Sequence, residues 1–257
     1  YSLFFYIYYV FFSKERVVVL LADAGFIIEK DVTSRLLRRF LKYAYGILSL
    51  RDIPELRKMK SRIEIMSGIV TNDVPEVKSH RTPGTVLLSG SLGLTTGLLL
   101  ALEFFSSQQR LKLIITGIPF LMSETEFRGL LEKYRCDSIE FLGALEYSEY
   151  VDVLQSVEFS LNLRNPDDLE HNYNFPSKIL EYMSYRIIVV SSLRYPELPD
   201  DIYYNTKYSA SGLNDCFEEI LSSCSAERES LAKNASDFVR NNFSEDVLRS
   251  KISRLLM

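Results

Sequence analysis

The sequence predicts an α/β protein built on a doubly wound, mostly parallel sheet, and three observations predict it. Between residues 85 and 192, short apolar runs alternate with segments of helical periodicity, the rhythm of strands joined by crossover helices. Those runs, among them TVLLSGSL, LKLIITGI and RIIVVSS, are almost continuously apolar, as strands covered on both faces must be. The chain has 257 residues, 47% apolar and 25% charged, enough for one large or two smaller cores of ordinary globular make-up.

The elements follow in order. YSLFFYIYYVFF, residues 1–12, is too short to span a bilayer and lacks the basic flank and cleavage pattern of a signal peptide. Two readings stand for it: a core or interface segment of a chain that begins inside an element, or an aromatic surface facing a membrane. VVVLLA (17–22) reads as a buried strand. Residues 32–45 have helical periodicity, with Leu36, Leu37, Phe40, Leu41 and Ala44 inward and Arg35, Arg38, Arg39 and Lys42 outward. ILSL (47–50) predicts a strand, IPELRKM (53–59) a helix and RIEIMSG (62–68) a strand ending at Gly68. Residues 71–84 carry two prolines and no periodicity, which marks a linker between a first domain, 1–78, and a second, 79–235.

Beyond the linker the rhythm is regular. Strands are predicted at 85–92, 111–118, 138–145, 158–164 and 186–192, and helices at 95–107, 123–134, 148–157, 176–184, 211–223 and 226–241. The helix at 123–134 opens on a Ser-x-x-Glu capping box, Ser123 with Glu126.

Composition narrows the chemistry. A net charge of -4 argues against a nucleic-acid binder. The three cysteines have no metal-ligand spacing and fit a reducing, cytoplasmic compartment better than a disulfide framework. Two histidines are too few for a histidine-rich metal centre, so no metal ligands are assigned. No Ser-His-Asp arrangement, HExxH motif, G-x-G-x-x-G fingerprint or Walker lysine is present.

Doubly wound sheets bind ligands outside the carboxyl ends of their strands. That rule selects the loops at 89–97, 116–119, 142–148 and 164–178. The last is long and without periodicity of its own, which favours function over mere connection. It runs into NFPSKILE, residues 174–181. Pro176 suits a first helical position, leaving the N–H groups of Ser177, Lys178 and Ile179 without intrahelical partners. Lys178 beside an already positive helix end is unfavourable unless an anion binds there. Glu181, one turn on, could receive a ribose diol. The competing reading has Lys178 lying over the sheet edge, with Glu181 paired to it or to Arg186. Gly90 and Ser91 permit either a close backbone approach to phosphate or a simple tight turn. Arg164 is a second phosphate clamp or an ordinary surface charge. Asp167, Asp168 and Glu170 form an acidic run, Asn162 is an unusual mid-strand amide, and His171 is a loop histidine near the same crevice.

These segments, in order and spacing, resemble the C-terminal half of a retaining GT-B sugar-nucleotide transferase of glycosyltransferase family 4. The segments are LLSGSLGLTTGLLLAL, LKLIITG, IEFLGALEYSEYVDVLQSVEFSLNLRNP and NYNFPSKILEYMSYRIIVVSS, with RIEIMSGIV ahead of the linker. The FPSK version is similar to that of polysaccharide and cell-envelope transferases. The resemblance implies a GT-B fold, with a donor domain at 79–235, an incomplete Rossmann-like acceptor domain at 1–78 preceded by further chain, and a helix in 236–257 that crosses back. It implies transfer of a hexose-type sugar from a nucleotide diphosphate sugar to a glycan or lipid-linked acceptor, with retained configuration, no cofactor and no obligate metal. Glu181 matches the ribose-binding carboxylate. Phe175, Pro176, Ser177, Lys178 and Ile179 match the diphosphate-binding helix start, Gly90 and Ser91 the glycine loop, and Leu142, Gly143 and Ala144 the base-flanking segment. Lys178, Arg164 and Glu170 are the expected catalytic groups.

Two departures stand out. The first carboxylate of the family's paired glutamates falls on Tyr173, and its basic residues near the glycine loop fall on Ser91 and Thr96. Lost positive charge weakens stabilisation of a departing diphosphate. That leaves two rivals: a weakened or inactive donor-binding subunit of a polysaccharide assembly system, and a nucleotide-sugar epimerase. The aromatic start and the basic face at Arg35–Lys42 predict peripheral contact with the inner face of a membrane.

Overall fold

The computed structural model describes residues 16–21, 32–59, 61–71, 81–168 and 173–257. The aromatic stretch at 1–12, Glu170 and His171 lie outside them. The chain divides into two units. The first takes the described residues up to 71 together with 173–177 and 240–257, and the second takes 81–168 and 178–239.

In the second unit, six strands form one parallel sheet: β4 (Thr82–Leu92), β5 (Lys112–Pro119), β6 (Ile139–Gly143), β7 (Val157–Asn162), β8 (Ile188–Ser191) and β9 (Tyr204–Asn205), in the order β6-β5-β4-β7-β8-β9. The chain adds strands outward on one side of β4, then returns to the other side with β7. The order therefore reverses between β4 and β7, and a doubly wound sheet opens a crevice at the carboxyl ends of such a pair.

Both faces of β4 are buried. Val86 and Leu88 join a core with Phe104, Phe105, Phe159 and Phe217, while Leu87 is fully buried on the opposite face. The crossovers are α2 (Leu98–Ser106), α3 (Glu124–Lys133), α4 (Tyr147–Ser156) and α5 (Lys178–Ser184), followed by α6 (Ala210–Ser222) and α7 (Ser225–Phe243). Ser123 caps α3 as its sequence requires: its Oγ accepts from the Glu126 N–H at 3.2 Å, and Glu126 Oε2 accepts from the Ser123 N–H at 2.8 Å.

In the first unit, β1 (Val18–Leu21), β2 (Gly46–Ser49) and β3 (Arg62–Ile65) form a parallel sheet in the order β1-β2-β3. A helix at Val32–Leu41, α1, and one at Glu245–Leu256, α8, complete it. Leu255 of α8 buries against Leu48 and Met66, and Arg254 pairs with Glu64 at 2.6 Å.

Four expectations are corrected. The helix foreseen at 32–45 ends at Leu41, and Leu36 is 38% exposed rather than inward. The buried positions are Ser34, Leu41 and Ala44, with Leu37 packed beside them; that stripe follows the helical period and leaves Leu36 off it. IPELRKM forms only a 3-10 turn at Leu56–Lys58, pinned by buried Ile53 and Leu56. The helix foreseen from Pro176 begins at Lys178. Phe175 is buried just ahead, and a residue before proline favours extended backbone, so helical geometry starts two residues later. Finally, the strand foreseen as buried at 17–22 leaves Leu20 exposed and buries Leu21 alone among its described residues.

Candidate active site

The site is built in the second unit, where β4 ends. Gly90 has φ +107° and pairs in register with Gly117, at φ +134°. A Cβ on Gly117 would stand 2.0 Å from the Gly90 carbonyl oxygen, and one on Gly90 would stand 2.7 Å from Lys178 Cε. Only glycine allows both the backbone angle and the approach. The strand end is thereby drawn against the first side chain of α5.

Five polar side chains gather there from three elements: Ser89 of β4, Tyr150 of α4, and Lys178, Glu181 and Tyr182 of α5. Lys178 Nζ donates to Tyr150 Oη at 3.2 Å and lies 3.6 Å from Glu181 Oε2. Tyr150 Oη donates to Glu181 Oε2 at 3.0 Å. Ser89 Oγ lies 3.0 Å from Tyr150 Oη and 2.8 Å from Tyr182 Oη.

Each hydroxyl has one proton. Because Tyr150 gives its proton to Glu181, Ser89 must donate to Tyr150, and Tyr182 must donate to Ser89. The result is a directed chain, Tyr182 to Ser89 to Tyr150 to the carboxylate. Burial is the main cause that pushes the Tyr150 and Tyr182 phenols well above the ordinary tyrosine range, with the Glu181 charge adding to it. Both are therefore hydrogen-bond donors at neutral pH and not bases.

Ser91 is exposed. Thr96, where the resemblance expects a basic residue, braces its own loop: its Oγ1 accepts from the Gly93 N–H and donates toward the Ser91 carbonyl, both at 2.8 Å. Gly143 has φ +75°, and its carbonyl accepts from Thr116 Oγ1 at 2.7 Å, while Leu142 is half-buried and Ala144 exposed. Ile179 is fully buried, so only its backbone remains for a ligand. Ser177 is exposed, Pro176 half-buried and Phe175 buried.

Arg164 is fixed through its backbone. Its N–H donates to Ser192 Oγ, and that hydroxyl donates to the Arg164 carbonyl, both at 2.7 Å. Asn162 is buried and donates to Ser191 Oγ at 2.9 Å and Tyr195 Oη at 2.8 Å, a structural use for the mid-strand amide. Tyr173, in the first unit, packs against the Leu41, Ile47 and Leu56 core. Among the described residues no three acidic, histidine or cysteine side chains group as metal ligands, and no helix is long and apolar enough to cross a membrane.

Sequence reasoning missed Ser89, Tyr150 and Tyr182. The signal available was weak: a tyrosine on a buried helix face needs a partner for its hydroxyl, and Tyr182 directly follows Glu181.

No protein-family model and no curated protein sequence matches the chain. Solved structures do. HepE of Anabaena, determined with UDP and glucose, is similar over 99% of this chain and 75% of its own, with TM-score 0.75 and 13% identity. Sucrose-phosphate synthase of Thermosynechococcus elongatus matches over 94% and 67%, with TM-score 0.71 and 14% identity. TarM matches over 93% and 50%, with TM-score 0.67 and 14% identity. The chain thus spans half to three quarters of the length of these proteins. At such identities the likeness is one of fold: the parallel-sheet α/β architecture of GT-B glycosyltransferases, with one domain represented in part.

Proposed function

We propose that this chain belongs to a retaining glycosyltransferase of family 4 type, moving a hexose-type sugar from a nucleotide diphosphate sugar to a glycan or lipid-linked acceptor. One observation carries the reading: Lys178 and Glu181 stand a turn apart against the glycine end of β4, beside the β4–β7 switch point. A cation and a carboxylate at that spacing suit the two polar parts of a nucleoside diphosphate. In this reading Lys178 meets diphosphate oxygens, Glu181 accepts the ribose hydroxyls, Gly90 admits the phosphates close to the backbone, and Leu142–Ala144 border the base. Nucleotide sugars at this fold in HepE lend support: it was also determined with UDP-glucose.

In the proposed reaction the acceptor hydroxyl attacks the anomeric carbon on the face that the diphosphate leaves. The bond to the leaving oxygen breaks, and that oxygen takes the acceptor proton. Lys178, with Arg164 as a second cation, offsets the charge that develops on the diphosphate. Glu181 transfers no proton.

The epimerase rival gains nothing from Tyr150. A serine, a tyrosine and a lysine around one phenol would suit a tyrosinate base, but here the phenol donates to Glu181 and its pKa is raised. The inactive-subunit rival rests on the uncharged Ser91 and Thr96. Membrane contact belongs to the same proposal: α1 and the turn after it expose Val32, Leu36 and Tyr43 beside Arg35, Arg39 and Lys42, a mixture suited to an anionic surface on the cytoplasmic side.

Calorimetry against a panel of nucleotide sugars, followed by product analysis with retention checked at the anomeric centre, tests the reading. Glu181→Ala should weaken donor binding about tenfold, the value of one charge-assisted hydrogen bond. Lys178→Ala should lower turnover by about 100-fold while changing affinity less. A wild-type chain that binds no member of the panel overturns the proposal. Binding without transfer points to the inactive subunit.

A further inference from the structure

We propose that Tyr150 is a positioning residue for the donor: its hydroxyl holds Lys178 and Glu181 in the arrangement that receives the two halves of a nucleoside diphosphate. The inference rests on the donor-binding reading of those two residues and adds a third, from a different helix.

The geometry singles out this hydroxyl. Tyr150 Oη bonds both members of the pair, at 3.2 Å and 3.0 Å, closer than the 3.6 Å between the ammonium and the carboxylate themselves. The ring face contributes less, since Nζ lies 4.9 Å from the ring centroid. Lys178 and Glu181 retain 42% and 33% side-chain exposure, and an ion pair so open to water is weak by itself. Lysine also has many rotamers to lose, and ordering it is a cost of binding. Tyr150 meets part of that cost before the ligand arrives.

The hydroxyl is itself aimed. Tyr182 is 2% exposed and sends its proton to Ser89, which sends its own to Tyr150. The Tyr150 proton is left with Glu181 as its acceptor, so the carboxylate is oriented from the core outward. Glu181 keeps its second oxygen for a diol, and Lys178 keeps two further N–H donors for phosphate oxygens.

A role in both halves has a signature that fold maintenance lacks. Wild type, Tyr150→Phe, Lys178→Met and Glu181→Gln would be titrated with UDP, GDP and ADP, the corresponding nucleosides, and pyrophosphate, with thermal midpoints recorded beside them. Lys178→Met should weaken pyrophosphate and spare the nucleoside, and Glu181→Gln the reverse. Tyr150→Phe should weaken both, by about tenfold for the full nucleoside diphosphate. The Tyr150→Phe/Glu181→Gln pair should fall short of additivity, as groups in one network do. Should Tyr150→Phe not fold, Ser89→Ala removes the donor to the phenol and should give the same two-sided loss at smaller size. If wild type binds a nucleoside diphosphate and the folded Tyr150→Phe or Ser89→Ala chain binds all three ligand types within about twofold, the Tyr150 role is overturned and the donor reading stands. If wild type binds none of them, the donor reading falls and this inference with it.

Discussion

The two ends of strands β4 and β7 each set basic side chains beside a glutamate, and they use them in opposite ways. At the amino ends, Arg81 donates to the carbonyls of Leu154, Val157 and Tyr185. Beside it Glu158 accepts from the Gly84 N–H at 2.8 Å and from Arg228 at 3.1 Å, and Arg228 also donates to the Ser223 carbonyl at 2.6 Å. At the carboxyl ends, Lys178 bonds one phenol, and Glu181 accepts from that same phenol. Buried backbone carbonyls have no other donor to turn to, so a cation that leaves them strands them unpaired. A side-chain hydroxyl can exchange its partner by rotation. The first end holds the sheet; on the donor-binding proposal, the second is the one free to exchange partners for a ligand.

The sharpest way to break that contrast is Arg81→Met. Burial pulls the Arg81 guanidinium down to about 10, yet its removal would strand buried carbonyls. We expect a loss of about 3–5 kcal/mol in denaturant unfolding, with nucleotide affinity of the folded fraction unchanged. An affinity change as large as the stability change would show that the two ends are not separable.

Alkali should act next in size, and at the other end. Tyr150 and Tyr182 have phenols raised by burial. The sign follows from proton counting. Above pH about 10 the unfolded tyrosines lose protons that the folded ones keep, so the stabilisation is whole below that pH and is lost as pH rises. Each keeps its proton at a cost of about 1.4 kcal/mol per pH unit, about 3 kcal/mol for the pair at pH 11. Unfolding midpoints measured from pH 8 to 11 should fall accordingly, and less steeply in a Tyr150→Phe chain. Gly90→Ala comes below this, at about 1–3 kcal/mol for the forced backbone angle, accompanied by weaker nucleotide binding because Lys178 must shift.

What could be read in the sequence follows the same division. The alternation of strands and helices and the capped helix at Ser123 were legible because they rest on periodicity and local hydrogen bonding. That Lys178 and Glu181 stand together was legible because both lie on one turn of one helix. Tyr150 was not: it meets them from a segment 28 residues away from Lys178, and nothing local marks a tyrosine whose partner is remote. Ser89 was hidden beside Gly90 and Ser91, which the sequence offers for a close approach of backbone to phosphate. The start of α5 was misplaced because a proline fits a first helical position well, but here Phe175 anchors the preceding chain. Thr96 looked like a lost charge and proved to be the brace of its loop.

The smallest expected effect is the most informative about which end does what. Lys178→Met removes a partly exposed ammonium from a pair that water already screens. Its aliphatic stem, packed beside Gly90, is largely kept by methionine. Stability should therefore change by less than about 1 kcal/mol, in contrast to Arg81→Met, while nucleotide binding or turnover falls. A large stability loss from Lys178→Met would mean that the carboxyl-end cluster is a second clamp, and that the ammonium is committed to the fold and not held ready for phosphate.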